Sequence, residues 1–179
     1  MRASPTDYVS PFSTDRRPLL MWSAIVVVTV TVMAAIIGAP VAVARGHNVL
    51  ALAVYSSFSH LCHQLSDRSF FIAGHQFAVC ARCTGLYTGF TVATLAYPLM
   101  RPLRRTDPPQ RLWLFLAAVP LAIDFSLGVF GIWENTHLSR FVTGALLGSV
   151  AVLYVMPGLI DLSLMKWRRA LGRKVVSGQ

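Results

Sequence analysis

The sequence predicts an all-α membrane protein with four transmembrane helices and a short interfacial or re-entrant helix before the second span. Hydrophobic residues make up 55% of the 179 residues and charged residues only 13%, about half the charged share of a soluble domain. A mean hydropathy of +0.58 implies more apolar surface than a soluble fold of this size can bury. The apolar residues also fall in long runs that polar or basic segments separate. We therefore expect lipid to cover the protein, with the bilayer as its main partner.

The first apolar run covers residues 19–44 and contains no charged residue, so it is long enough to cross a bilayer. Its last three residues, Ala-Val-Ala, resemble a signal-peptidase site. The run is longer than the apolar region of a signal peptide, however, and we expect a retained anchor. The next run, residues 49–58, is too short to cross and suits an interfacial or re-entrant helix.

Three further runs, residues 84–100, 112–133 and 141–162, complete the predicted spans. The chain then divides into a cytoplasmic tail (1–18), a four-helix transmembrane domain (19–163) with an outer-face Cys/His segment (47–83), and a basic cytoplasmic tail (164–179). Twelve of the 16 Lys and Arg residues fall in the two tails and the loop after the second span. By the positive-inside rule, we expect a multi-pass protein of the cytoplasmic (inner) membrane with both termini cytoplasmic. The net charge of +9 is thereby explained, and no nucleic-acid partner is expected.

The outer-face segment carries a set of residues that suits a metal ion. Cys80 and Cys83 have the C-x-x-C spacing with which two thiolates converge on a tetrahedral centre, and Cys62 with His63 offers a third sulfur and a nitrogen. Such a Cys3His set favours zinc, and its soft ligands also suit another transition metal such as Cu(I). The loop after the third span adds polar residues to the same face. Other candidate nitrogen ligands and neighbouring polar residues are His60, His75, His137 and Glu134.

Other interpretations of the thiols remain open. In a thiol–disulfide redox protein, Cys80 and Cys83 form the active pair and Cys62 is a third thiol, with Arg82 and a helix N-terminus lowering a thiol pKa. The thiols are inert in a non-catalytic accessory subunit or small transporter. No haem is expected because Thr84, rather than His, follows Cys83. The sequence also carries no nucleotide or flavin signature, and it leaves open whether the protein is an enzyme.

Three arginines on the predicted outer face are candidates for contact with an anionic ligand, a lipid head group or a partner in a membrane complex. Guanidinium groups bind carboxylates and phosphates bidentately, and these candidates are Arg68, Arg82 and Arg140. The alternative is local pairing of Arg68 with Asp67 or Glu134, while the other two extend to the interface.

Asp124 lies inside the third span, nine residues before Trp133 and so about 14 Å below the outer end of a helix. A carboxylate at that depth is expected to be protonated, to face a wet cavity, or to pair with Arg82 or Arg140. Two Gly-x-x-x-Gly patterns, at 85–89 and 144–148, predict close packing between helices.

The run Cys62-His-Gln-Leu-Ser-Asp-Arg-Ser69, followed by Cys80-Ala-Arg-Cys-Thr-Gly-Leu-Tyr87, resembles an uncharacterised prokaryotic membrane protein family, the domain of unknown function 2085. Asn135 and Arg140-Phe-Val-Thr-Gly144 are similar to a downstream motif of that family, so the resemblance covers roughly residues 50–160. The family brings no established activity. By residue match, it implicates Cys62, His63, Gln64, Arg68, Cys80, Arg82, Cys83, Asn135, Arg140 and Thr143.

Overall fold

A computed structural model describes residues 16–176, and their side chains as far as residue 163. Five α-helices occur in this part of the chain: α1 (Arg17–Ala44), α2 (Asn48–Ser59), α3 (Ala81–Met100), α4 (Leu112–Val129) and α5 (His137–Val176). A 3-10 turn (Ser66–Arg68) and an antiparallel hairpin of β1 (Phe71–Ile72) and β2 (His75–Gln76) separate α2 from α3. The mostly helical fold is confirmed, whereas the hairpin was not predicted. Apart from residues 16–18, the predicted N-terminal tail lies outside the described residues.

Among the helices of residues 16–176, three are long and apolar enough to cross a membrane: α1, α4 and the first 27 residues of α5. The helix α3, the predicted second span, has 20 residues but does not reach the same hydropathy, because glycine and threonine occupy much of its length. It is also the helix with the most buried residues in the described part of the chain. Neighbouring helices cover the side of α3 that carries most of its Gly and Thr residues, which tolerates the less apolar sequence, whereas Val92, Leu95 and Leu99 are exposed.

The helices α3 and α5 run parallel and meet backbone to backbone along the two Gly-x-x-x-Gly patterns. A Cβ atom added at Gly85 or Gly89 would lie 2.0 or 2.1 Å from a carbonyl oxygen of α5, and one added at Gly144 or Gly148 would lie 2.2 or 2.1 Å from a carbonyl oxygen of α3. Any side chain larger than hydrogen would push the helices apart. The predicted packing role of both patterns is confirmed.

Threonine hydroxyls in α3 bond to their own helix. Each donates to the carbonyl oxygen four residues earlier, at distances of 3.1 Å for Thr84, 2.7 Å for Thr88, 2.8 Å for Thr91 and 2.7 Å for Thr94. This bonding satisfies the hydroxyls without another partner, so α3 can lie inside a helical bundle despite its polar residues.

Two prolines inside helices tie α1 to its neighbours. Proline has no N–H and therefore leaves the carbonyl four residues earlier without its helical donor. The carbonyl freed by Pro98 is that of Thr94, which accepts from Trp22 Nε1 at 2.8 Å. Pro40 frees the Ile36 carbonyl, which accepts from the Ala78 N–H at 3.4 Å. These bonds link opposite ends of α1 to α3 and to the segment that enters α3.

The observed helix ends differ from the predicted span ends where a glycine or a capping residue sets the end of the helix. The predicted third span reaches residue 133, but α4 ends at Val129 because Gly131 adopts a φ of +65° and the Ile132 N–H returns to the Leu127 carbonyl at 3.1 Å, as in a Schellman motif. The helix α5 begins earlier than predicted, at His137, because the Thr136 hydroxyl caps it by accepting from the Ser139 N–H at 3.0 Å. It also continues beyond the predicted 162, to Val176.

Candidate metal centre

The three cysteines meet at the start of α3. Cys80 is the residue that precedes the helix, Cys83 lies in its first turn, and Cys62 belongs to the loop after α2. Their Sγ atoms all lie within 4.8 Å of one another, no disulfide joins them, and the Cys80 N–H donates to Cys62 Sγ at 3.2 Å. The structure therefore brings together the three sulfurs singled out from the sequence.

An apolar shell surrounds these thiols. Cys62 is only 6% exposed, and it packs with buried side chains of α1 and of the segment before α3. The shell comprises Ile36, Phe77 and Val79, with the partly buried Val32, Met33, Phe58, Phe70 and Tyr87. Such a surrounding limits the access of water to a bound ion and lowers the local dielectric.

Gln64 holds the Cys62 loop against the segment that leads into α3. Its backbone has a φ of +51°, and its amide Nε2 donates to the carbonyl oxygens of Tyr55 and Ala78, each at 2.8 Å. Gln76 Nε2 donates in return to the Gln64 carbonyl at 3.2 Å, and the Tyr55 hydroxyl donates to the Gln76 carbonyl. Gln64 is therefore placed as a positioning residue for Cys62.

The electrostatics of the cluster favour one thiolate. Hydrogen bonds from the Cys62 thiol and then the Cys83 thiol hold the pKa of the Cys80 thiol well below its ordinary value, and the backbone N–H groups of Cys83 and Arg82 act in the same direction. Arg82 thus contributes through its backbone N–H, while its guanidinium is engaged elsewhere. A thiolate is the form of cysteine that binds metals and attacks disulfides.

No histidine joins the three sulfurs in the described part of the chain: the group of mutually close ligand atoms contains Cys62, Cys80 and Cys83 alone. His63 is exposed, and the ring of His137 lies against Phe70, with centroids 5.8 Å apart. Coordination by His63 therefore stays a prediction.

A second polar cluster lies where α3, α4 and α5 meet. Arg82 Nη2 donates to Asp124 Oδ2 at 2.5 Å, and the Ser139 hydroxyl donates to Asp124 Oδ1 at 2.8 Å. The Asn135 amide donates to the Asp124 backbone carbonyl. The Asp124 side chain is 10% exposed. Of the states expected for this residue, the structure shows the ion pair with Arg82. The carboxylate also borders a groove of about 450 Å³ whose other walls include Pro120, Ile123, Leu127 and Trp133.

The remaining predicted residues do not gather in one place. Arg68 pairs with Asp67 at 3.2 Å on the surface, as in the local alternative. The Nε of Arg140 is buried and has no hydrogen-bond partner within residues 16–163. Thr143 donates to the Ser139 carbonyl at 2.9 Å. Glu134 is exposed.

The thiol cluster and the Asp124 cluster lie on different sides of α3. The cysteines pack against α1 and the loop after α2, whereas Arg82 reaches Asp124 and lies 5.4 Å from the Phe125 ring centroid. Sequence reasoning missed Tyr55, Gln76 and Ser139. The sequence offered one indication for Ser139: it lies four residues, or about one helical turn, before Thr143, which the family motif had singled out.

These features define a class: a small helical membrane protein that gathers three thiols in an apolar pocket on one side of a helix and a buried ion pair on its other side. The chain belongs to the family described as predicted membrane protein (DUF2085), whose model matches residues 62–154, and the resemblance seen in the sequence is thereby confirmed. An uncharacterized protein of Methanocaldococcus jannaschii, MJ1492, is 36% identical over 119 residues, which cover 66% of this chain and 76% of the relative. An uncharacterized protein of Methanothermobacter thermautotrophicus is 37% identical over 87 residues, covering 49% and 77% respectively. No solved structure matches the chain.

Proposed function

We propose that this protein binds one soft metal ion, Zn(II) or Cu(I), through the thiolates of Cys62, Cys80 and Cys83. The observation that carries the proposal is the approach of all three Sγ atoms to within 4.8 Å of one another in an apolar pocket. Sulfurs around a tetrahedral zinc ion are separated by about 3.8 Å, given a Zn–S distance of about 2.3 Å. The thiols would have to close by at most about 1 Å to bind the ion.

The three thiolate ligands also limit which metals the site can bind. Three thiolates are soft ligands, which favour Zn(II) and Cu(I) over Mg(II), Ca(II) or Mn(II). An iron–sulfur cluster is disfavoured because [2Fe–2S] and [4Fe–4S] clusters are held by four cysteine thiolates, and this chain has three cysteines. Three protein ligands leave a fourth position on zinc, as in catalytic sites. His63 or an external ligand would fill it, and in the latter case the ion could activate water or a bound anion.

We further propose that α3 also crosses the membrane, which gives four spans in total, and that both termini are cytoplasmic. The helices α3 and α5 run parallel to each other, and contacts at both ends of α1 show that it runs antiparallel to α3. This alternation of direction is what four successive spans require. The cluster would then lie at the outer end of α3, on the outer face of the cytoplasmic membrane.

A thiol–disulfide redox function is the second candidate, and the closeness of the unbridged Cys80 and Cys83 favours it. The Cys80 thiolate would attack a disulfide of a partner protein, forming a mixed disulfide and releasing one partner thiolate. The Cys83 thiolate would then displace the second partner sulfur and form a Cys80–Cys83 disulfide. The partner disulfide gains two electrons and this protein loses two.

Elemental analysis of the detergent-purified protein, together with a count of reactive thiols, tests the two candidates. The metal function predicts one zinc or copper ion per chain and thiols that react only after chelation. A metal-free protein with one disulfide would support the redox function instead. Three reactive thiols without metal, both after purification and after incubation with zinc or Cu(I), would contradict the metal function. If these thiols also form no disulfide when the protein is incubated with a disulfide oxidant, the redox function would be contradicted as well.

A further inference from the structure

The connection between α1 and α2 forms an elbow with a groove on its outer side. The helix α1 ends at Ala44, Gly46 reverses the chain with a φ of +80°, and α2 begins at Asn48. The groove has a volume of about 410 Å³; its walls are apolar side chains of α1, including Ile37 and Val41, and its mouth carries Arg45 and His47. It lies apart from both clusters described above.

Charge at this elbow is uncompensated. Residues 16–66 contain no Asp or Glu, so no carboxylate is available from α1, α2 or the loop that contains Cys62. Arg45 and His47 are exposed, and neither forms an ion pair in the part of the chain that the structure describes. The mouth of the groove therefore presents positive charge that suits an anion.

The depth of the groove matches the boundary between head groups and acyl chains. The 28 residues of α1 span about 42 Å at the rise of an α-helix, which equals the thickness of a bilayer with its head groups. Arg45, at the end of α1, therefore lies at head-group level, and Ile37 and Val41 lie deeper, where acyl chains begin.

Gly38 keeps the groove open. A Cβ atom at Gly38 would meet no atom within 4 Å, whereas one at Gly85 or Gly89 would strike the backbone of α5. Helix packing within the chain therefore does not require glycine at position 38. The missing side chain leaves space along the groove for a hydrocarbon chain.

From these observations we propose that the elbow binds an anionic phospholipid. Its phosphate contacts Arg45 and His47, and one acyl chain lies along Ile37, Gly38 and Val41. The site is independent of the metal centre, since it shares no residue with the thiol cluster.

Native mass spectrometry of the detergent-purified full chain, titrated with phosphatidylglycerol or phosphatidylcholine, tests this site. We expect preferential binding of one phosphatidylglycerol molecule and a loss of affinity of about fivefold in Arg45→Gln, the effect of one basic residue at a membrane surface. Gly38→Leu fills the groove and should lower the same affinity while the metal content and the melting temperature stay unchanged. Arg111→Gln is the matched control, because it removes one exposed arginine far along the chain from the groove.

Several outcomes would overturn the proposal. One is equal binding of the two lipids, and another is an equal loss of affinity in Arg111→Gln and Arg45→Gln. Binding that Gly38→Leu leaves unchanged would mean that no acyl chain occupies the groove. Inorganic phosphate that competes at concentrations similar to those of the lipid would assign the site to a free anion. Should Arg45→Gln fail to fold, His47→Gln and Gly38→Leu keep the test intact.

Discussion

Cys62 shows how much a single residue depends on its surroundings. It lies 18 residues before Cys80, and its approach to the C-x-x-C pair rests on the loop that Gln64 ties to Tyr55 and Ala78. The loop backbone gives Gln64 a positive φ, a conformation that non-glycine residues adopt at a cost. The two hydrogen bonds from the Gln64 amide offset this cost. Gln64, two residues after Cys62, therefore stabilises the loop that brings Cys62 to the other two cysteines.

The three cysteines should act as a unit if they share one ion. Loss of one thiolate opens the coordination shell, so a second loss adds little. We expect Cys62→Ser, Cys80→Ser and Cys83→Ser each to abolish stoichiometric metal and to lower the melting temperature by similar amounts, and the Cys80/Cys83 double variant to be no worse. Elemental analysis and thermal unfolding in detergent measure this, with Ser66→Ala as the control. Full metal in any single variant would refute the three-thiolate site, whereas trapped mixed disulfides in one variant would point to redox chemistry.

Asp124 offers a test of the buried ion pair. Removing one partner of such a pair leaves an uncompensated charge and costs about 3–5 kcal/mol, so Asp124→Leu should strongly destabilise the protein. Asp124→Asn can still accept from Arg82 through its amide oxygen and can donate from its amide nitrogen to the Ser139 hydroxyl, so it should cost less, about 1–2 kcal/mol. Thermal unfolding of both variants checks the order. If the two are equally damaging to function while stability is unchanged, a proton-carrying role would replace the structural one; full tolerance of both would show that the pair is dispensable.

At the scale of whole elements, the parallel contact between α3 and α5 organises the bundle. It places Arg82 of α3 beside Ser139 of α5, with Asp124 of α4 between them. The same contact lets α3 carry Gly and Thr in place of larger apolar residues, because its neighbours cover it.

This contact predicts an unusual sensitivity to small changes. Gly89→Ala places a Cβ atom 2.1 Å from the Ala145 carbonyl oxygen, so the helices must separate, at a cost of about 1–3 kcal/mol or more. Gly158→Ala is the matched control, since a Cβ atom there meets nothing within 4 Å. Thermal unfolding of the two variants in the same detergent should show a large decrease for the first and little change for the second. Equal melting temperatures would contradict the close α3–α5 contact.

For the whole molecule, the distribution of basic residues sets the orientation. A reporter fused after Gln179 should be cytoplasmic, and one inserted near His137 should be extracytoplasmic, because Lys and Arg concentrate beside the cytoplasmic ends of spans. The side on which each position lies is measured with two reporters, one active only in the cytoplasm and the other active only outside it. Reversed signals at both positions would overturn the four-span orientation, either because every span is inverted or because α3 does not cross. A changed signal at only one position would mean that α5 does not cross the membrane.

Local features of the sequence determined much of this protein. Long apolar runs specify helices that lipid can cover, and the runs at residues 19–44 and 49–58 agree closely with α1 and α2, since length and hydropathy are properties of a segment by itself. The C-x-x-C spacing likewise brings Cys80 and Cys83 together within one helical turn. Helix ends were less accurate where a single residue decided them, as Gly131 did for α4.

Only the tertiary structure decided which distant residues meet. Asp124 could have paired with Arg82 or Arg140, and the packing of α3 against α4 and α5 selected Arg82. Four histidines were open as ligands, yet His63 is exposed in the loop, and His137, at the start of α5, lies against Phe70. The carbonyl freed by Pro40 found its donor in a different element. Each of these outcomes depends on the direction of a side chain or a free carbonyl relative to another segment, and hydropathy and spacing carry no information about that direction.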